Sequence, residues 1–225
     1  MLKNKPLLLF LTLPLLMLFS SCFQVIEEIN MKNNGSGDIL ITINLSQSKT
    51  KVASLMLLDS INGYKVPSKK DIQAKMNEAV SYLKTKEGIS NIKQSIDFNT
   101  YIATLSFSFK NVSNLNNISN HILKNQNIKS SAASYTYNKA TNTFVRNYQY
   151  VGKAKAEYNK LKQQDRAIFK TATYTSIYRF EQSINKQNNP LATISKTKKA
   201  ILLKCSILDL INNKANISNQ IQLSK

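Results

Sequence analysis

Phe23, Val25, Ile29 and Met31 fall on one side of a period-two alternation, with Gln24, Glu28, Asn30 and Lys32 on the other. That is the spacing of a strand with one buried face. Asn33-Asn34-Gly35-Ser36-Gly37 reads as a turn in which glycine supplies positive φ. Ile39, Ile41, Ile43 and Leu45 then alternate with Leu40, Thr42, Asn44 and Ser46, which predicts a hairpin. Glu27 interrupts the apolar side of the first strand. A carboxylate there is expected near a sheet edge or neutralised by a lysine, rather than acting as a catalytic acid.

Beyond the hairpin, Lys51 to Ser60 predicts a short helix through Val52, Leu55, Met56 and Leu58. Ser68 and Asp71 have the spacing of a capping box. They precede an amphipathic stripe of Ile72, Met76, Ala79, Val80 and Leu83, a helix that Gly88 is expected to end. Strands are predicted at Ile89 to Asp97 and Tyr101 to Lys110. A weaker, Asn-rich helix is predicted through Leu115, Ile118 and Ile122. Aromatic strands follow at Ala133 to Tyr137 and Thr143 to Tyr150, then a helix from Lys153 to Lys170.

The last quarter returns to strands. Thr171 to Phe180 is rich in Thr and Tyr, and Leu191 to Ser195 with Lys199 to Ser206 predicts a hairpin. Ile207 to Ile211 reads as a helical turn, and Ile217 to Leu223 as a closing strand. Short turns between strands, with intermittent helices, predict an α+β domain. Its expected architecture is a mostly antiparallel β-sheet built from hairpins, with several amphipathic helices packed on one face. No linker and no repeat divides residues 22–225, so one domain is expected there.

The first 22 residues follow a different rule. Lys3 and Lys5 precede the 13-residue stretch Leu7 to Phe19, broken only by Thr12 and Pro14, and Ser20-Ser21-Cys22 closes it. A positive start, a short apolar core and small residues describe a secretory signal over 1–21. A buried helix there would carry Pro14 at a cost of about 3 kcal/mol. No apolar run in the chain reaches the roughly 18 residues of a spanning helix.

Composition narrows the function classes. The chain has 31 Lys+Arg against 12 Asp+Glu. Without Lys3 and Lys5 the count is 29 against 12, a net charge of +17. Such a balance suits nucleic acid or an anionic surface. Yet 28 of the 31 basic residues are Lys and 27 residues are Asn, a mixture that points to an A/T-biased genome rather than to phosphate recognition. Arginine, suited to bidentate phosphate contacts, occurs only as Arg146, Arg166 and Arg179. Nucleic acid is therefore not expected as a partner, and anionic lipid or polysaccharide stays open as one.

Candidate chemistry is sparse. With one His and two Cys, no His/Cys zinc cluster can form, and neither a metal nor another cofactor is expected. His121 has no acidic neighbour within several positions and reads as solvated. Glu27 and Glu28 are adjacent on a strand and so point to opposite faces, not across a cleft as paired glycosidase carboxylates do. Cys205 lies in an apolar stretch and reads as a small hydrophobe. Tyr135, Tyr137, Tyr148 and Tyr150 form a candidate face for glycan, peptide or lipid, although strand spacing equally suits cross-strand packing; Tyr174 and Tyr178 share that pattern.

Leu18-Phe19-Ser20-Ser21-Cys22 resembles a bacterial lipobox, with Phe19 where Leu is usual. The resemblance implies cleavage after Ser20-Ser21 and lipidation of Cys22. Further short segments are Glu27-Glu28-Ile29, Asn34-Gly35-Ser36-Gly37, Gly88 to Ile92, Phe107 to Val112, Tyr174 to Phe180 and Asn189-Pro-Leu-Ala192. With Cys22 they resemble uncharacterised lipoproteins of the Bacteroidetes; Cys22 followed by the Gly-Ser hairpin alone resembles, more distantly, LppM-type lipoprotein domains. The resemblance implies an outer-membrane lipoprotein with an α+β fold and supplies no catalytic residues. Phe23 in place of Asp after Cys22 implies the outer membrane over the inner one. Asp59-Ser60-Ile61 matches a short Bacteroidetes O-glycosylation pattern, which makes Ser60 a candidate acceptor. The function expected is a membrane-anchored, non-enzymatic envelope lipoprotein of structural or adaptor type, with an envelope protein as possible partner. The alternatives are a ligand-binding lipoprotein using the tyrosine-rich strands and, less favoured, an envelope hydrolase.

Overall fold

The computed structural model describes residues 23–61, 63–116, 118, 134–150 and 152–225. The signal-like segment 1–21 with Ser20 and Ser21, Cys22, and the part of the expected Asn-rich helix with His121 and Ile122 lie outside the described residues.

The first hairpin forms as its alternation predicts. β1 (Gln24–Met31) pairs antiparallel with β2 (Gly37–Asn44), Gln24 opposite Asn44 and Met31 opposite Gly37. Gly35 turns the chain at φ 85°, and its N–H donates to the Lys32 carbonyl at 3.0 Å. A short α1 (Lys49–Leu55) and the two-residue strands β3 (Ser60–Ile61) and β4 (Tyr64–Lys65) lead to α2 (Lys69–Lys84). The capping box is present at its start. Ser68 Oγ accepts the Asp71 N–H at 3.1 Å, and the Asp71 carboxylate accepts the Ser68 N–H at 3.0 Å. These bonds satisfy two of the amides that a helix leaves unpaired at its N-terminus. The helix stops at Thr85 rather than at Gly88. Gly88, at φ 76°, instead turns the chain into β5 (Ile89–Asp97), which pairs with β6 (Ile102–Phe109).

A 3-10 turn at Val112–Leu115 follows β6, and the described chain resumes in β7 (Ser134–Asn138) and β8 (Thr143–Asn147). The single helix expected over Lys153 to Lys170 is broken. It forms α3 (Lys153–Lys160), α4 (Gln163–Arg166) and a 3-10 turn at Ala167–Phe169. Leu161 is extended at φ −70° and ψ 143°. The Arg166 guanidinium donates to the carbonyls of Asn159 at 2.6 Å and Leu161 at 2.9 Å, partners that a continuous helix would have bonded within its own ladder.

β9 (Thr173–Phe180), β10 (Ile184–Gln187), β11 (Ala192–Ile194), β12 (Ala200–Ser206), α5 (Ile207–Ile211) and β13 (Asn219–Leu223) complete the chain. Seven strands join one sheet in the order β11-β12-β9-β1-β2-β6-β5. Every neighbour is antiparallel except β1 and β9, which run parallel. β1 is therefore the middle strand. A second sheet has the order β10-β13-β8-β7.

The chain is α+β with mostly antiparallel sheets, but its layering differs from the expectation of one sheet faced by helices. The main cluster of buried side chains unites Ile29, Phe107 and Tyr178 of the large sheet with Tyr135, Phe144, Ile184 and Ile221 of the small one. Phe144 packs its ring 5.2 Å from Tyr178 and 5.5 Å from Phe180. From α2, Leu83 joins this cluster, with Met76 and Val80 against it. A period-two pattern reveals that a strand buries one face, not whether it joins an existing sheet or founds another. That is why β7, β8 and β13 separate into a sheet that their alternation does not announce.

Candidate functional site

The sheet has two well-defined ends. Asp97, Ile102, Asn44, Gln24, Thr173 and Ser206 are successive partners across six strands and form one end. Phe23 leaves this end from the middle strand. Its carbonyl accepts the Thr173 N–H at 3.0 Å, and its ring meets Phe169 edge-on at 5.6 Å. Phe169 in turn packs edge-on against Tyr158 of α3 at 5.4 Å. Cys22 precedes Phe23 directly, so a group on Cys22 is joined to the centre of the fold with no intervening linker.

Between the sheets lies a polar cluster around Glu27. The Tyr135 hydroxyl donates to Glu27 Oε2 at 2.9 Å, and the Tyr178 hydroxyl to Oε1 at 2.8 Å. Arg146 Nη2 stands 3.5 Å from Oε2. Arg146 is also engaged by the Ile217 carbonyl at 3.2 Å and the Tyr135 hydroxyl at 3.3 Å, and its guanidinium lies 5.4 Å from the Tyr174 ring centre. The Arg146 side chain is 4% exposed and that of Glu27 is 13% exposed. Burial, with the neighbouring Glu27 charge adding to it, pushes the Tyr135, Tyr174 and Tyr178 hydroxyls above their ordinary pKa. The group is thus an anchored ion pair with both carboxylate oxygens occupied. Glu27 sits at the middle of the sheet and is matched by an arginine, which corrects the expectation of an edge position or a lysine partner. The sequence holds a trace of this: Arg146 follows Phe144 by two residues and so occupies an inward position, as Glu27 does on β1.

The structure places the four tyrosines expected as a ligand face in separate surroundings. Tyr135 is buried at 5% exposure in the Glu27 cluster. Tyr137 is half-buried and donates to Asn142 Oδ1 at 3.2 Å. Tyr148 packs against the smaller apolar cluster of Tyr174, Leu203 and Ile217, and the Tyr150 hydroxyl donates to the Ile211 carbonyl at 3.0 Å. Tyr135 and Tyr137 pack from β7, whereas Tyr148 and Tyr150 lie beyond the end of β8 at Asn147. Tyr174 and Tyr178 are buried as well.

Ser60 is exposed in β3, next to exposed Asp59. Cys205 is half-buried, and its thiol is pushed up to about 11 by burial and then by Asp209. A thiol so raised is a poor nucleophile at neutral pH. Among the described residues no group of three or more His, Cys, Asp or Glu could hold a metal. An open cleft of about 480 Å³ lies along Asn188 to Leu191 and Lys214 to Gln220, beside β8. One of its buried amides, Asn189, donates to the carbonyls of Asn216 and Ser218 at 2.8 and 2.7 Å and accepts from Leu191 N–H, so it serves to join two loops. No helix among the described residues is long and apolar enough to cross a membrane.

No family model matches the chain, and no curated protein does. Among solved structures it is similar to the folded domain of the LppM protein of Mycobacterium tuberculosis, determined by NMR. The identity is 10%, the alignment covers 89% of this chain and 88% of that chain, and the TM-score is 0.44. A likeness of that extent carries no weight for what this protein does.

Proposed function

We propose that the protein is a bacterial envelope lipoprotein, held in the outer membrane by acyl chains on Cys22 and acting as a structural or adaptor protein. The observation that carries this reading is the lipobox-like Leu18 to Cys22 placed one residue before the middle strand of the fold. Two or more acyl chains anchor stably, where one binds only marginally. The resemblance to Bacteroidetes lipoproteins and the absence of Asp after Cys22 support the outer membrane. The non-enzymatic reading draws support from Glu27, a largely enclosed carboxylate with both oxygens engaged by Tyr135, Tyr178 and Arg146. An envelope protein or anionic polysaccharide is the partner proposed. Ligand binding on the tyrosine-rich strands draws no support from the placement of those side chains.

Intact mass and membrane fractionation of wild type and Cys22→Ala test the anchor. The expected result is an acyl mass and membrane association in wild type, both lost in the variant. An unacylated, soluble wild type would overturn the reading.

A further inference from the structure

We propose that the end of the domain from which Phe23 emerges is a docking surface for an anionic lipid bilayer, with Leu57, Leu58 and Tyr64 as the side chains that enter it. The inference deepens the lipoprotein reading and rests on it for the position of the anchor. Four of the six large apolar side chains that stand exposed among the described residues, Ile43, Leu57, Leu58 and Tyr64, belong to this end. Leu57 is 86% exposed, Leu58 50% and Tyr64 49%. None of the six lies in the turns at the opposite end of the large sheet.

The placement follows from register. β2 ends at Asn44, opposite Gln24, and the segment that carries Leu57, Leu58 and Tyr64 continues from there. Leu58 N–H donates to the Leu55 carbonyl at 3.1 Å, and Val66 N–H to the Asp59 carbonyl at 2.9 Å, so the segment closes on itself as a projecting loop. From α3, Lys160 is close enough to Tyr64 for their charges to interact. Tyr158 of α3 connects back through Phe169 to Phe23. The apolar tip and the acylation point therefore belong to one contiguous end of the molecule.

Charge selects the kind of surface. Residues 45–71 and 148–172, the two segments at this end, hold eleven basic and four acidic side chains. Lys65, Lys69, Lys70, Lys155 and Lys162 among them are exposed. An exposed Leu-Leu pair within a lysine-rich rim is unfavourable in water and matches an interface of acyl chains beneath anionic headgroups. A protein partner would be expected to bury a larger apolar area than this tip presents. A membrane already fixed by the acyl chains needs only a shallow, charged contact to set orientation.

The test labels full-length protein, purified from membranes, with an environment-sensitive fluorophore at Leu57→Cys or, as control, at Lys196→Cys in the opposite turns, each on a Cys205→Ser background. Both sites are exposed, so labelling leaves the core intact. Each sample is reconstituted in vesicles of phosphatidylethanolamine with phosphatidylglycerol, and its intact mass is recorded. Docking predicts that lipid-borne quenchers reduce emission from position 57 several-fold more than from position 196. The difference should shrink in phosphatidylcholine vesicles. Equal quenching at both positions in a sample that carries the acyl mass overturns the docking surface and leaves the lipoprotein intact. Selective quenching at 57 without acyl mass sustains docking and overturns the anchor. A glycan on Ser60 that holds position 57 in water would also overturn docking.

Discussion

Glu27 and Glu28 are neighbours on one strand, and each meets an arginine, yet their surroundings have little in common. Glu27 points between the sheets, where Arg146 is 4% exposed and two tyrosine hydroxyls complete its coordination. Glu28 points to the open face of the large sheet, where Arg179 approaches to 2.8 Å with 45% of its side chain exposed. The shorter pair is expected to cost less when one partner is removed. In water the Coulomb gain is screened and offset by the entropy of two long side chains, whereas inside the protein each charge has surrendered its hydration and depends on the other. Distance alone therefore ranks the two pairs in the wrong order.

The comparison is most easily broken by Arg146→Ala. It leaves the Glu27 carboxylate buried without its cation and is expected to destabilise the fold by about 3–5 kcal/mol, read as a lower denaturation midpoint. A loss below about 1 kcal/mol would place Glu27 in the same class as an exposed pair. Replacing both partners at once, Glu27→Met with Arg146→Met, removes the two desolvated charges together. It is expected to cost about 2 kcal/mol less than Arg146→Ala, because no lone charge remains. A double-mutant cycle completed with Glu27→Met measures the coupling.

Alkaline titration sharpens the same contrast. The folded pKa values of Tyr135, Tyr174 and Tyr178 are raised by burial, so the folded state holds these protons more tightly than the unfolded chain. For groups raised in this way the stability is fully present below the unfolded value near 10 and is lost as pH climbs through the folded values. Cys205, raised to about 11, adds a smaller loss of the same sign that begins nearer pH 9. Denaturation midpoints followed with phenolate absorbance should hold steady to about pH 9 and fall above about 10. A folded protein whose ten tyrosines all ionise together at about pH 10, with none delayed, would show that the cluster admits water.

The smallest effect belongs to the open face. Arg179→Ala is expected to change stability by roughly 0–1 kcal/mol, and the change should diminish as salt is raised. A larger, salt-insensitive loss would show that the face around Glu28 is covered in the intact protein.

Much of this organisation is visible in the residues. The Asn33 to Gly37 turn, the Ser68–Asp71 cap and the β6 alternation each follow from rules that act within a few residues, and the structure keeps all three. The inward position of Arg146 on β8 is legible too, but the side chain it serves is on β1. The break after Lys160 was hidden because Arg166 satisfies carbonyls through its side chain, which period counting does not register. The burial of Tyr135 was hidden for a related reason. Alternation places Tyr135 and Tyr137 on one side of a strand but does not say that another sheet covers that side.

By itself the chain determined where strands and most helices form, the hairpin at Asn33 to Gly37, and the lipobox-like pattern at Cys22, because each depends on local spacing, turn chemistry or a short motif. Only the tertiary structure decided that β9 lies parallel beside β1, that β7, β8 and β13 build a second sheet, and that Glu27 meets Arg146 between them. The parallel pairing and the ion pair join residues more than a hundred positions apart, and β8 meets β13 across some seventy. They are selected by which apolar faces exclude water together and by where a buried charge finds its partner, and neither is encoded in any single stretch of sequence.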